Sequence, residues 1–294
     1  MALIHTTLYL ARDVRVKMKV VKTIAEMKEL RRQLSGTVGF VPTMGYLHDG
    51  HLSLVKVARA ESSIAVVSIY VNPTQFGPRE DLGSYPRDLN CDLKLLEEEK
   101  VDIVFFPPDE EMYPPGFSSW VDVERVTERL EGVSRPGHFR GVATVCAKLF
   151  NIVQPTKAYF GQKDAQQAVV MKRMAADLDM NLEIVVLPTV REGDGLAMSS
   201  RNTYLNPQER QAALVLSKSL SLAKQLWQGG EKDADSIRGQ MTALIQKEPL
   251  AQIDYVSIAD ASSLEELKLI DHPALASLAV RVGKARLIDN MPLG

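Results

Sequence analysis

A chain of 294 residues, 45% hydrophobic and 24% charged, can bury a sizeable core and reads as a globular enzyme of about two domains. Its formal net charge of -2 gives no general attraction to nucleic acid or an anionic membrane, so any anion site has to be local. Cys91 and Cys146 stand far apart in no metal-like spacing, which excludes a disulfide framework and a structural zinc, and no apolar run approaches the ~20 residues that cross a bilayer.

A cytoplasmic protein is therefore expected. In chain order, Met1 to Lys17 reads as an N-terminal extension without an assigned role; its basic residues Arg12, Arg15 and Lys17 follow the apolar ones, the reverse of a signal peptide. The first element begins after Met18, at Lys19-Val20-Val21. Over residues 18–189 short apolar runs alternate with amphipathic segments, the pattern of a doubly wound α/β parallel sheet with crossover helices. Strands are predicted over 38–41, 64–71, 103–106, 158–160 and 183–187, with helices over 24–34, 52–60, 88–99, 142–152 and 165–178. After Gly193 the character changes. Asn206-Pro207 places a capping side chain before proline at the first helical position, and that helix runs to Gly229-Gly230. A second helix over about 235–246 precedes apolar runs at 253–259, 278–282 and 285–288, so residues 190–294 are predicted to form a smaller C-terminal α+β domain.

The unusual residues fall at the carboxyl ends of the predicted strands, where open sheets of this kind bind ligands. In Pro42-Thr43-Met44-Gly45-Tyr46-Leu47-His48-Asp49-Gly50-His51, a buried strand turns into a helix whose first N–H groups and dipole favour an anion. His48 and His51 add donors on one face of the first turn, and Gly50 would let a phosphate approach the backbone. A cap or a packed side chain is the competing reading for either histidine. Four further clusters join it. Asn72-Pro73-Thr74-Gln75 offers the Gln75 amide to a hydroxylated substrate, with a turn stabiliser the plainer reading and better suited to Asn72. Pro136 to Gly141 either shapes a ligand loop or simply starts a helix. Gly161-Gln162-Lys163-Asp164 sets a lysine at the same sheet edge as the histidines, and Gln167 lies one turn into the helix that follows. Met198-Ser199-Ser200-Arg201-Asn202 puts hydroxyls and a guanidinium in a linker, suited to clamp phosphates.

His48-Asp49-Gly50-His51 resembles the HIGH motif, and Met198 to Arg201 the KMSKS motif, of the adenylate-forming nucleotidyltransferases that include class I aminoacyl-tRNA synthetases. More closely, Pro42 to Gly45, Val71 to Gly77, Gly161 to Asp164 with Gln167, Met198 to Asn202 and Arg286-Leu287-Ile288-Asp289-Asn290 resemble the pantothenate synthetase family, in order from about Met18 to the C-terminus. Members of that family usually begin near the equivalent of Met18, which leaves the extension outside the resemblance.

The resemblance implies a Rossmann-like fold and a homodimer that joins pantoate to β-alanine at the expense of ATP through a pantoyl-adenylate, releasing AMP and pyrophosphate. It implies that His48, His51, Lys163 and Arg201 do the catalytic work, His51 in an acid role. Met44 to His51, Gly161 to Asp164, Val190 and Met198 to Arg201 would frame ATP, and Gln75 and Gln167 would hold pantoate, Gln75 lying near β-alanine as well. Magnesium is expected with ATP, and Asp92 and Asp164 are the candidates for its outer shell. No nucleic acid or membrane partner is implied. Two other readings share the histidine pair. A nucleotidyltransferase acting on a phosphate-bearing acceptor would need more basic residues where this chain has glutamines, and a non-catalytic nucleotide sensor would leave Lys163 and Arg201 without a purpose.

Overall fold

The computed structural model describes residues 17–78 and 80–294. The expected N-terminal extension lies outside the described residues, except Lys17. Strands β1 (Lys19–Val21), β2 (Val38–Thr43), β3 (Ile64–Ile69), β4 (Ile103–Phe105), β5 (Lys157–Gly161) and β6 (Glu183–Leu187) form one sheet in the order β1-β4-β3-β2-β5-β6. Every neighbouring pair is parallel. Both faces are covered by helices, so these strands read as continuous apolar runs, and β3 (Ile-Ala-Val-Val-Ser-Ile) is buried along nearly its whole length.

The covering helices are α1 (Ile24–Gln33), α2 (Asp49–Glu61), α3 (Leu89–Glu98), α6 (His138–Val153) and α7 (Ala165–Asp177), with short turns of helix α4 (Asp109–Met112) and α5 (Glu131–Ser134) between β4 and α6. From β2 the chain winds outward to β3 and β4, then returns to place β5 on the other side of β2. The crevice beyond the carboxyl ends of β2 and β5 is therefore the topological switch point, where α/β sheets bind ligands.

A second unit follows: α8 (Pro207–Gln228), α9 (Ala234–Ile245) and an antiparallel sheet β7-β8-β9 (Ala251–Asp260, Ala274–Val282, Ala285–Leu293). It has its own core, in which Leu216, Leu220, Ile237, Met241 and Val280 are completely or almost completely buried. The Asn206 carboxamide caps α8 through the Glu209 N–H while the Glu209 carboxylate takes the Asn206 N–H, a reciprocal box.

The differences from expectation lie at element ends. Helix α2 starts at Asp49 instead of Leu52, and α6 at His138 instead of Val142, because side-chain and glycine caps extend each helix beyond its apolar stripe. Strand β3 stops at Ile69, since Val71 already belongs to the turn that carries Gln75.

Candidate active site

The loop from β2 to α2 is held from beneath. Thr43 Oγ1 donates to the Ser68 carbonyl and accepts the Gly45 N–H, fixing a turn in which Gly45 has φ 79° and Tyr46 φ 52°. The left-handed backbone at Tyr46 is offset by its neighbours: its N–H and that of Leu47 donate to the two carboxylate oxygens of Asp92 at 2.9 and 2.7 Å. Asp92 is 2% exposed, and both oxygens are committed to the loop. Asp92, expected as a candidate for a metal's outer shell, pins the histidine loop through both oxygens. Among the described residues no group of three or more His, Cys, Asp and Glu is placed to hold an ion.

The histidines cap the helix and each other. His48 Nδ1 accepts the Gly50 N–H at 3.2 Å, and His51 Nδ1 accepts the His48 N–H at 3.4 Å. With both Nδ1 atoms accepting, each neutral ring carries its proton on Nε2. The rings lie 4.1 Å apart. Burial, then the Lys163 charge, lowers the pKa of His48, while burial and the neighbouring His48 lower that of His51 to about 3. Two neutral imidazole donors therefore stand side by side. The His48 ring packs beside Gly50, 2.9 Å from where a Cβ would be, and Met198 Cβ lies 3.7 Å from the same point.

Across the crevice, the Gln162–Asp164 turn follows β5 and leads into α7. Lys163 Nζ lies 3.3 Å from Asp164 Oδ1, and Lys163 holds the Asp164 pKa below the usual value despite desolvation. Gln167 lines a small cavity with Lys163 and His138. Its neighbour Gln166 turns inward, bonding the Glu131 N–H and the carbonyls of Val126 and Arg129.

Gln75 ends a short 3-10 turn and is 9% exposed. Its Nε2 donates to Met44 Sδ at 3.1 Å, which joins the amide to the histidine loop. Asn72 stabilises the turn, donating to Gln75 Oε1 and the Gly141 carbonyl and accepting from Thr74 and Tyr113. The Pro136 to Gly141 segment resolves into a helix start with a positioning role. His138 Nδ1 donates to the Gln75 carbonyl at 2.9 Å, and a Cβ at Gly141 would sit 2.4 Å from the Thr74 carbonyl oxygen.

The linker after β6 is the last wall. Met198 N–H bonds the Val190 carbonyl, Ser199 Oγ caps the turn by accepting the Arg201 N–H, and Ser200 Oγ reaches the Tyr46 carbonyl at 3.5 Å. Arg201 forms a two-point pair with Asp81 at 3.0 and 2.8 Å. Lys163, Asp164, Ser199 and Arg201 line one cleft of about 780 Å³, with Asp81, Glu131 and Arg286 along its rim. The structure thus joins the histidine loop to Met198 and Ser200 through Gly50 and Tyr46, Met44 to Gln75, and Lys163 to Arg201 as linings of one cleft. Gln75 and Gln167 make no hydrogen bond to each other among the described residues. Sequence reasoning missed Asp81, Glu131, Arg191 and the use of Asp289 and Asn290. The last two lay in a segment already marked as family-like, but nothing local to β9 indicated which turns it would touch.

A family model described as pantoate–β-alanine ligase matches residues 19–292. The chain is 59% identical over 276 residues to the pantothenate synthetase of Roseiflexus sp. (strain RS-1), covering 94% of this chain and 99% of that one. It is 60% identical over 275 residues to that of Herpetosiphon aurantiacus, covering 93% and 99%. A crystal structure of pantothenate synthetase from Thermus thermophilus superposes with a TM-score of 0.89 at 47% identity, covering 93% of this chain and 99% of that one. The pantoate–β-alanine ligase of Francisella tularensis, complexed with β-γ ATP and β-alanine, superposes with a TM-score of 0.77 at 33% identity, covering 94% and 97%. By sequence and fold, the chain belongs to the pantothenate synthetase family of pantoate–β-alanine ligases.

Proposed function

We propose that the enzyme condenses (R)-pantoate with β-alanine in two steps at the β2/β5 crevice, through a pantoyl-adenylate, with ATP consumed to AMP and pyrophosphate. The observation that carries the reading is the pair of neutral imidazole donors close enough to Lys163 for its charge to lower both their pKa values, with Lys163 and Arg201 lining one cleft. A carboxylate is a poor acyl donor, so a pantoate oxygen first attacks the α-phosphorus of ATP, and the bond to the β-phosphate bridging oxygen breaks. Negative charge then grows on the departing pyrophosphate. Nε2–H groups of His48 and His51, the Lys163 ammonium and the Arg201 guanidinium stabilise it from fixed positions. A pKa of about 3 makes His51 a hydrogen-bond donor in this step instead of an imidazolium acid. Arg201 exchanges Asp81 for phosphate oxygens as the nucleotide enters. In the second step the β-alanine amine attacks the acyl carbon, the acyl–phosphate bond breaks, AMP leaves and the amine loses its proton.

Gln75 and Gln167 grip pantoate by its hydroxyls, leaving its carboxylate free. Gln75 is suited to this by its fixed turn and by its contact with Met44. Magnesium enters with the triphosphate as part of the substrate. Residues 18–189 then form the nucleotide- and pantoate-binding unit, and residues 190–294 the lid. The working form is a cytoplasmic homodimer.

The test is pyrophosphate release from ATP and magnesium with pantoate, with and without β-alanine, followed by mass analysis. Release that requires pantoate, with pantothenate and AMP formed only after β-alanine is added, supports the two-step ligase. Binding of ATP without pantoate-dependent release overturns it in favour of another acceptor or a sensor.

A further inference from the structure

Lys163 sits on a flexible four-carbon stem, so where its charge stands depends on how its backbone is held. That backbone is a three-residue turn, Gln162–Asp164, between the end of β5 and the start of α7. One residue from the distant β9 strand grips it. Asn290 Nδ2 donates to the carbonyls of Gln162 and Lys163 at 2.8 and 2.9 Å, and its Oδ1 accepts Gln162 Nε2 at 2.9 Å. Both ends of the amide are committed, and the residue is 4% exposed, so water has little access to replace it. The adjacent Asp289, 2% exposed, holds Arg191 at 2.6 and 3.0 Å, beside the Val190 carbonyl that receives Met198 N–H. Two consecutive residues of β9 thus fasten both walls of the cleft.

We propose that Asn290 is a positioning residue for the adenylation step, acting through the Gln162–Lys163 turn to fix the Lys163 ammonium against the leaving pyrophosphate. The inference rests on the reading that Lys163 holds ATP phosphates. This role gives Asn290 no part in the attack of β-alanine, in which no pyrophosphate is formed.

Asn290→Asp is nearly isosteric but turns a carboxylate toward two carbonyl oxygens that now receive N–H groups. Single-turnover pantoyl-adenylate formation and the subsequent aminolysis are measured separately for Asn290→Asp, Lys163→Met and the double variant. Asn290→Asp should slow adenylation by about tenfold or more and leave aminolysis within about twofold. In the Lys163→Met background it should add less than about twofold, because the two changes act through one group. Equal slowing of both half-reactions, or full multiplication of the two effects, would overturn the proposal in favour of a general structural role. Unchanged adenylation in Lys163→Met would overturn the reading of Lys163, whereas slow Lys163→Met beside normal Asn290→Asp would overturn this inference alone. If Asn290→Asp does not fold, Asn290→Ser, which retains one donor, is put through the same cycle and judged by the same outcomes.

Discussion

His51 illustrates how a single residue serves two ends. Its Nδ1 completes the cap of α2, and its Nε2–H is thereby left for a ligand. Removing one preorganised donor of this kind costs on the order of 3 kcal/mol in the transition state, so His51→Ala and Lys163→Ala should each lower kcat by about a hundredfold. Turnover within tenfold of the parent enzyme in steady-state assays would remove them from the chemistry. The same burial has a cost in acid. Burial lowers the His51 pKa from its ordinary 6.5 to about 3, and burial with Arg135 beside it lowers that of His138 to about 4. Between those values and 6.5 the unfolded chain binds protons that the native protein does not. Stability is therefore fully present above about pH 6.5 and falls as the pH drops through this window, by about 1.4 kcal/mol per unit for each histidine. Urea midpoints at pH 7 and pH 5 should show this fall, and His138→Gln should make it smaller.

At the scale of elements, the histidine loop between β2 and α2 depends on support from α3. Asp92 of that helix satisfies two N–H groups of a backbone that would otherwise be strained and unpaired. Asp92→Ala should cost about 3 kcal/mol of stability by denaturant titration, from two orphaned donors, and should raise the KM for ATP. The magnesium concentration for half-maximal rate should not change. A stable variant with a raised magnesium requirement would return Asp92 to the metal. This explains which parts of the molecule could be read from the sequence. The buried strands, the amphipathic helices and the clusters at strand ends carry local signals, and Asn206-Pro207 marked the start of α8 correctly. Asp92 has no such signal, because an aspartate in the first turn of a helix looks the same whether it faces solvent or pins a loop 45 residues away. Gly50 is a similar case. The sequence shows a missing side chain, but only the fold shows that an imidazole fills the space.

Among the described residues two units meet at a polar seam, the first with two apolar clusters packed on its sheet and the second with a core of its own. Leu264 and Leu275 reach from the second unit into the core of the first, and around them the contacts are charged. Arg286 on β9 grips Glu131 of α5 through two short hydrogen bonds, 2.6 and 2.9 Å, and Asp254 of β7 through a third at 2.7 Å. The side chains of Arg286 and Glu131 are 16% and 7% exposed, so neither charge can fall back on water. Glu131 and Asp254 overcome the desolvation of Arg286 and raise its pKa further above the ordinary value. Breaking such a pair from one side strands the other charge, at a cost of about 3 kcal/mol where a second carboxylate remains. That cost falls on the seam, since the pair links α5 of the first unit to β9 of the second. Glu131→Gln should therefore uncouple the units instead of loosening either one. Calorimetry should show one thermal transition for the parent and two for the variant, and limited proteolysis of the variant should begin near residue 190 before the lower one is reached. A single transition, shifted down but still cooperative, would mean that the seam is held by Leu264 and Leu275 and that the ion pair only adjusts the cleft rim.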